Sequence, residues 1–452
     1  MTLASAPPVT RRAASPPRVL GVGALAFALF NCVVGASIFR LPAEVAAMLG
    51  GAAVLAYLGC SVILILMGLC LAEAGSRVSE AGGLYAYASV GFGPVIGGLT
   101  GVMILVSYLT GAAAVANLVV ENLGALWPAA SSAAARVLLI VAIFGALAAV
   151  NIRGAREGAR LSTFFALGKL VPLFAIALLG LFALEPANLR WGYTPEPRRL
   201  GEAVVLLFFA FGGLEMGLTA TGEARDPRRT IPRAIFVAVL LITLLYLCLQ
   251  LAAQGVLGNA LPDTAAPLAA VASKILGPWG LRCMLAATLL SASGYLVADL
   301  LCSPRAIYAL AARGQLPQRL AALHPRSGTP SVAVGLYALV ATLLTLSGSF
   351  RALALLSSCS TLLMYLVSCF ALLRLRARGV AQAGAPFRAP GGTLVPLVTA
   401  ALLLGLLLAV PAQQLLLSLV PAALAGTAYA LREKLKPMRG AAASEGVYPT
   451  SQ

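Results

Sequence analysis

Apolar residues fill this chain in long blocks, interrupted by short clusters of charge, Pro and Gly. An α-helix needs about 20 such residues to cross the hydrocarbon core of a bilayer. The blocks predict twelve helices, over 19–49, 51–75, 94–124, 133–151, 159–184, 201–222, 231–257, 279–312, 330–348, 351–373, 393–410 and 412–431. Residues 1–18 and 437–452 are short, polar or Pro-rich, and are expected to be disordered. The first apolar block is too long for the core of a signal peptide. An even number of crossings puts both termini on one side.

Two of the twelve blocks make poor continuous helices. In the first, Gly35-Ala36-Ser37-Ile38-Phe39 runs into Arg40 and Pro42; in the sixth, Gly212-Gly213 stands beside Glu215 at mid-membrane depth. Gly eases departure from helical geometry, and Pro removes a donor. Broken helices survive within a bilayer where they line a cavity or are buried in protein. Glycines in transmembrane helices are more often packing contacts. These two interruptions, however, open two successive five-helix blocks, a pairing that points to an inverted-repeat transporter with its site at the midplane.

Composition supports the membrane reading. The chain is 60% hydrophobic and 10% charged, far below the quarter charged of a soluble domain. Its net charge is +17. With so few charges in all, the excess reads as topology rather than nucleic-acid binding. With the termini cytoplasmic, 22 of the 32 basic residues fall on inner segments, seven on outer ones, and Arg40, Lys169 and Arg305 within helices. Trp127, Trp191 and Trp279 then lie at outward ends, as interface-seeking residues should. The eight cysteines show no metal or redox spacing, and His324, the only histidine, sits in a basic loop. A disulfide framework or zinc site thus has little support, and a Ser-His-Asp triad or histidine-rich metal centre inside the membrane is excluded. No nucleotide-binding loop of the G-x-x-x-x-G-K-[ST] kind is present, so ATP is not expected to drive the protein directly.

Four motifs carry a family resemblance: Val34–Pro42; Glu73 with Glu80–Tyr87 and Gly91–Pro94; Phe208 through Phe211–Glu215 to Glu223–Pro232; and Arg305–Pro317. In this order the chain resembles the amino acid–polyamine–organocation transporter family. The resemblance implies an all-α polytopic membrane protein with the LeuT-type 5+5 inverted repeat. Helices 1–5 and 6–10 would form a core over 19–390, and helices 11–12 would occupy 391–436. It also implies a binding site. An amino acid presents an ammonium and a carboxylate on one carbon, and an unwound helix supplies free amides and free carbonyls side by side. By resemblance the amides of Gly35, Ala36 and Ser37 hold the carboxylate, and the carbonyls of Val33, Phe209 and Gly212 take the ammonium. Ser37 departs from the family's usual Gly, and its side chain either narrows the pocket or adds a donor. Phe209 matches the aromatic gate.

Three charges inside helices remain. A midplane Lys costs about 2.5–3.5 kcal/mol to insert, so Lys169 should face protein or water. In family members that resemble this chain, such a Lys stands in the place of a sodium ion. Glu215 either carries a coupling proton or bonds unwound backbone. Asp299, one turn after Tyr295, either pairs with Arg305 or Lys169 or meets a cationic substrate side chain. Glu73 is expected to face Glu223, Asp226, Arg228 and Arg229 in a cytoplasmic gate. The reading is a sodium-independent secondary active transporter of amino acids or related amines, working by proton symport or exchange in the inner (cytoplasmic) membrane. A substrate-gated channel or sensor on the same scaffold is the alternative. No enzyme activity, cofactor, metal or nucleic acid is expected. The partners are the substrate, the lipid bilayer and, as candidate coupling ions, protons. The sequence leaves the oligomeric state open.

Overall fold

The first expected break is where the backbone leaves the helix. In the computed structural model, which describes residues 21–78, 82–153, 159–190, 194–217, 226–325, 327–382 and 385–435, α1 spans Val22–Val33 and α2 spans Leu41–Leu49. Between them lies only a 3-10 turn, Ser37–Phe39. Pro42 falls in the first turn of α2, where its missing amide removes no helical bond. The chain turns at Gly50 and continues as α3, Ala53–Arg77. A short helix, α4 (Leu84–Phe92), which the apolar blocks do not predict, precedes the long α5, Pro94–Leu126.

Helices α6 (Ala133–Arg153) and α7 (Ala159–Phe182) complete the first half. The second break separates α8, Pro197–Phe211, from the short α9, Leu214–Gly217. Then follow α10 (Pro227–Leu257), α11 (Pro267–Ala312), α12 (Ser331–Ser347) and α13 (Phe350–Ala377). Helix α11 starts twelve residues earlier than expected. Its first part, before the non-helical Gly277, belongs to what the sequence presents as a loop. The chain ends in α14, Leu394–Ala409, and α15, Ala412–Leu435.

Every expected block contains helix, the first and sixth being interrupted at their breaks, and all regular structure among the described residues is helical. Six stretches are long and apolar enough to cross a membrane alone: Leu41–Arg77, α5, α6, Arg229–Ala260, α11 and α13. A seventh is present if α14 and α15, bent by 116° at their break, form one broken span. The outside of the bundle is apolar too. Leu138, Phe182 and Leu408 are 70%, 84% and 85% exposed, as suits lipid rather than water. The protein is an all-helical, multi-pass membrane protein. Trp127 caps α5 and Trp279 follows the Gly277 kink, both exposed. Trp191 and the two tails lie outside the described residues.

The broken segments sit inside this bundle. α1 packs on α9 and α10, and the 3-10 turn meets α8 and α11. α7 lies against α10 and α11, while α5 runs along α13 and α11.

Candidate functional site

The two breaks lie against each other. α1 ends as Val34 turns to ψ 98°, its amide closing the last bond to Phe30 at 2.9 Å. Among the described residues the amides of Gly35, Ala36 and Ser37 donate to no backbone carbonyl. At the second break Gly212 is extended (φ −65°, ψ 160°) and Gly213 adopts φ 100°. A methyl group on Gly213 would stand 2.8 Å from the Cys32 carbonyl oxygen. Both the left-handed backbone and the close approach of the two segments therefore require glycine there.

A helix end leaves its last carbonyls without amide partners. At the end of α1 the Lys169 ammonium, from α7, donates to the Asn31 carbonyl at 2.8 Å. A cation there also meets the negative end of the α1 dipole. The Tyr246 hydroxyl, from α10, donates to the Ala210 carbonyl at 3.0 Å and lies 3.4 Å from that of Val33. One fully buried hydroxyl thus ties the first half of each broken helix to the other.

Phe209, half-buried on α8, stands edge-on to Phe350 of α13, with ring centroids 5.9 Å apart. A methyl on Gly111 of α5 would lie 2.9 Å from the Tyr295 hydroxyl, 3.4 Å from Ser357 Oγ and 3.5 Å from the Phe209 ring. Four helices, α5, α8, α11 and α13, therefore converge on one small space beside the second break. Ser107 joins it through Ser357, whose hydroxyl donates to the Ser107 carbonyl at 2.8 Å.

The structure brings Val33, Gly35, Ala36, Ser37, Gly212 and Lys169 together around the α1 break, with Phe209 beside them. The acids are held differently from what the sequence suggests. Glu215 opens α9 and accepts from the Tyr365 hydroxyl at 2.6 Å, a side-chain partner rather than unwound backbone. Asp299 forms neither of the expected ion pairs among the described residues: Arg305 and Lys169 both lie beyond pairing distance. Its oxygens instead accept from Ser303 at 2.7 Å and Tyr337 at 2.6 Å. A helix neighbour four residues on and a facing tyrosine satisfy the carboxylate without a cation.

Glu73 also has other partners than the expected ones. Completely buried, it accepts from Arg77 Nη2 at 2.8 Å, from Arg376 Nε at 2.8 Å and from the Ala389 amide at 2.7 Å. Arg77 Nη1 reaches the Val380 carbonyl at 3.2 Å. This cluster fastens α3 to α13 and to the linker that leads to α14. Asp226 lies 4.0 Å from Arg229 in its own helical turn. Glu223 and the Arg228 side chain lie outside the described residues.

Sequence reasoning missed the tyrosines. Tyr57, Tyr246, Tyr337 and Tyr365 are all fully buried, and each hydroxyl has a polar partner. Tyrosine prefers the membrane interface. A tyrosine in the middle of an apolar block is thus a signal that a polar group waits inside.

A family model described as "Amino acid permease" matches residues 20–428. A serine/threonine exchanger of Bacillus subtilis is 27% identical, covering 79% of this chain and 84% of its own. An uncharacterised transporter of Mycobacterium tuberculosis is 32% identical, covering 77% of both chains. Cationic amino acid transporter 4 of Mus musculus is 28% identical over 83% of this chain and 61% of its own.

Proposed function

Because the chain belongs to the amino acid permease family, we propose that it is a secondary active transporter that carries amino acids across the cytoplasmic membrane by alternating access. The observation that carries this is the meeting of two broken helices, with amides on one that bond no backbone carbonyl, that of Gly35 turned to the Tyr246 hydroxyl, and carbonyl ends tied by the same hydroxyl. The amides of Gly35, Ala36 and Ser37 bind the substrate carboxylate. The Val33, Phe209 and Gly212 carbonyls take the ammonium, and Phe209 closes over the side chain. Lys169 occupies the end of α1 with a fixed cation, so that no sodium ion is needed there. Glu215, held by Tyr365, positions α9 against the α1 break.

In this reading the helices make twelve crossings in a LeuT-type 5+5 inverted repeat, with a core over 19–390, flanking helices over 391–436 and both termini cytoplasmic. Relatives named for serine and threonine exchange and for cationic amino acids mark the range of side chains to test. Thermal unfolding of the detergent-purified protein is the direct check. A ligand that binds only the folded state stabilises it by about 2.7 kcal/mol at 100 times its Kd. At least one of serine, threonine, leucine, lysine or arginine should raise the midpoint equally with and without sodium. Stabilisation by no amino acid contradicts the reading, and stabilisation only with sodium contradicts the role of Lys169.

A further inference from the structure

The reading above gives Asp299 no contact with the amino acid at the broken helices, yet it is 9% exposed and buried among apolar helices. A buried carboxylate without a cation is costly to keep. Its partners differ from those of Glu73. Two arginines, which only donate, hold Glu73 ionised; two hydroxyls hold Asp299. A hydroxyl both donates and accepts, so the group stays satisfied in either protonation state. Ionised, Asp299 accepts from both Ser303 and Tyr337. Protonated, it donates through one oxygen while that hydroxyl turns to accept.

Its position is also intermediate. Tyr295, one turn earlier on α11, puts its hydroxyl in the small space shared by Gly111, Phe209 and Ser357. In the other direction Ser303 precedes Pro304 and Arg305, and Tyr337 lies one turn beyond Val334. Leu301, Pro304, Arg305 and Val334, with Asn151 and Thr329, line a cavity of about 160 Å³. That volume holds several waters. The Asn151 amide donates to the Leu300 carbonyl and fixes α6 against α11 at the cavity. Asp299 thus stands about one turn from the candidate substrate space and about one turn from a polar cavity.

We propose that Asp299 is the proton-binding site that couples transport to the proton gradient, releasing its proton into the Arg305-lined cavity. The assignment rests on the transport reading above. One proton moves and no other bond changes. Asp299 takes it from water near Tyr295 while the site faces outward. It passes it to water in the cavity while the site faces inward, and the carboxylate then recovers both hydroxyl donors. The titratable groups facing it are Tyr295 and Cys302 of α11, Tyr108 of α5 and Tyr337 of α12. Lys169 of α7 is engaged at Asn31, Glu215 lies beyond Tyr108, and Arg153 at the end of α6 is exposed. Arg305 stands at the cavity, where its charge speeds proton departure.

The test uses the full chain in proteoliposomes with radiolabelled serine, threonine, leucine, lysine and arginine. Wild type should accumulate whichever of these it exchanges when a pH gradient alone is imposed. Asp299→Asn should lose that accumulation about tenfold or more while still exchanging internal for external substrate at equal pH. Asp299→Glu should restore accumulation. Tyr337→Phe, which keeps the acid but removes one donor to its ionised form, should move half-maximal uptake to higher pH by about one unit. It carries the test if the Asn variant does not fold. Gradient-driven accumulation by Asp299→Asn, an unmoved pH profile in Tyr337→Phe, or wild-type exchange indifferent to the gradient overturns the proposal. Wild type that exchanges none of the five amino acids overturns the transport reading instead, and the proposal with it.

Discussion

At the scale of the residue, the site depends on single polar atoms that finish helix ends. Lys169 supplies the only side-chain bond described to the Asn31 carbonyl. A hydrogen bond to a charged group contributes about 1.5–3 kcal/mol, and removing it leaves a carbonyl unpaired in an apolar surround. Lys169→Met should therefore lower uptake by about tenfold or more, in assays where the amount of folded protein is checked by size exclusion. Tyr246→Phe deletes one oxygen and frees the Ala210 carbonyl. About 1 kcal/mol of stability should be lost in thermal unfolding, with a weaker apparent affinity for substrate. Lys169 could be singled out from the sequence because a charge this deep in an apolar block is too far from either end to snorkel. Tyr246 and Tyr337 are a weaker signal: a hydroxyl in an apolar block announces a polar partner, but only three-dimensional neighbours reveal which group it meets.

At the scale of the element, both breaks were legible because Gly and Pro act on the backbone locally. Their alignment was expected only through the family resemblance, because it depends on how α1, α8 and α10 pack. Gly213 records that packing: its φ of 100° and the Cys32 carbonyl beside it leave no place for a side chain. Gly213→Ala should cost about 1–3 kcal/mol and suppress uptake, whereas Gly145→Ala, in open space on α6, should change neither. The Glu73 cluster shows the opposite case. Its charges were visible, but the expected partners were wrong because neighbours in space came from α13 and the linker near Ala389. Removing one partner of a buried ion pair costs about 3–5 kcal/mol. Glu73→Gln, which strands two arginines, should lower the unfolding midpoint more than any exposed substitution on the same face.

At the scale of the molecule, the hydropathy pattern marks a helical membrane protein and the basic residues predict an orientation with the termini cytoplasmic. Twenty-two of 32 mark the cytoplasmic side in that orientation. In a cysteine-free background, Ser132→Cys, before α6, should react with an impermeant thiol reagent added outside intact cells. Ser327→Cys, beside the cavity, should react only after permeabilisation. Reversed labelling would invert the topology. The four tyrosine contacts, the paired breaks and the Glu73 cluster are where the bundle binds itself together, and the proposed alternating access would preserve or exchange them. The central claim is substrate-coupled transport. It is tested most directly by counterflow: proteoliposomes loaded with unlabelled amino acid and diluted into labelled amino acid without sodium. Transient accumulation of label above its equilibrium level, saturating with substrate and absent from protein-free vesicles, is predicted. Label that only equilibrates, without saturation, would contradict the account and favour a channel.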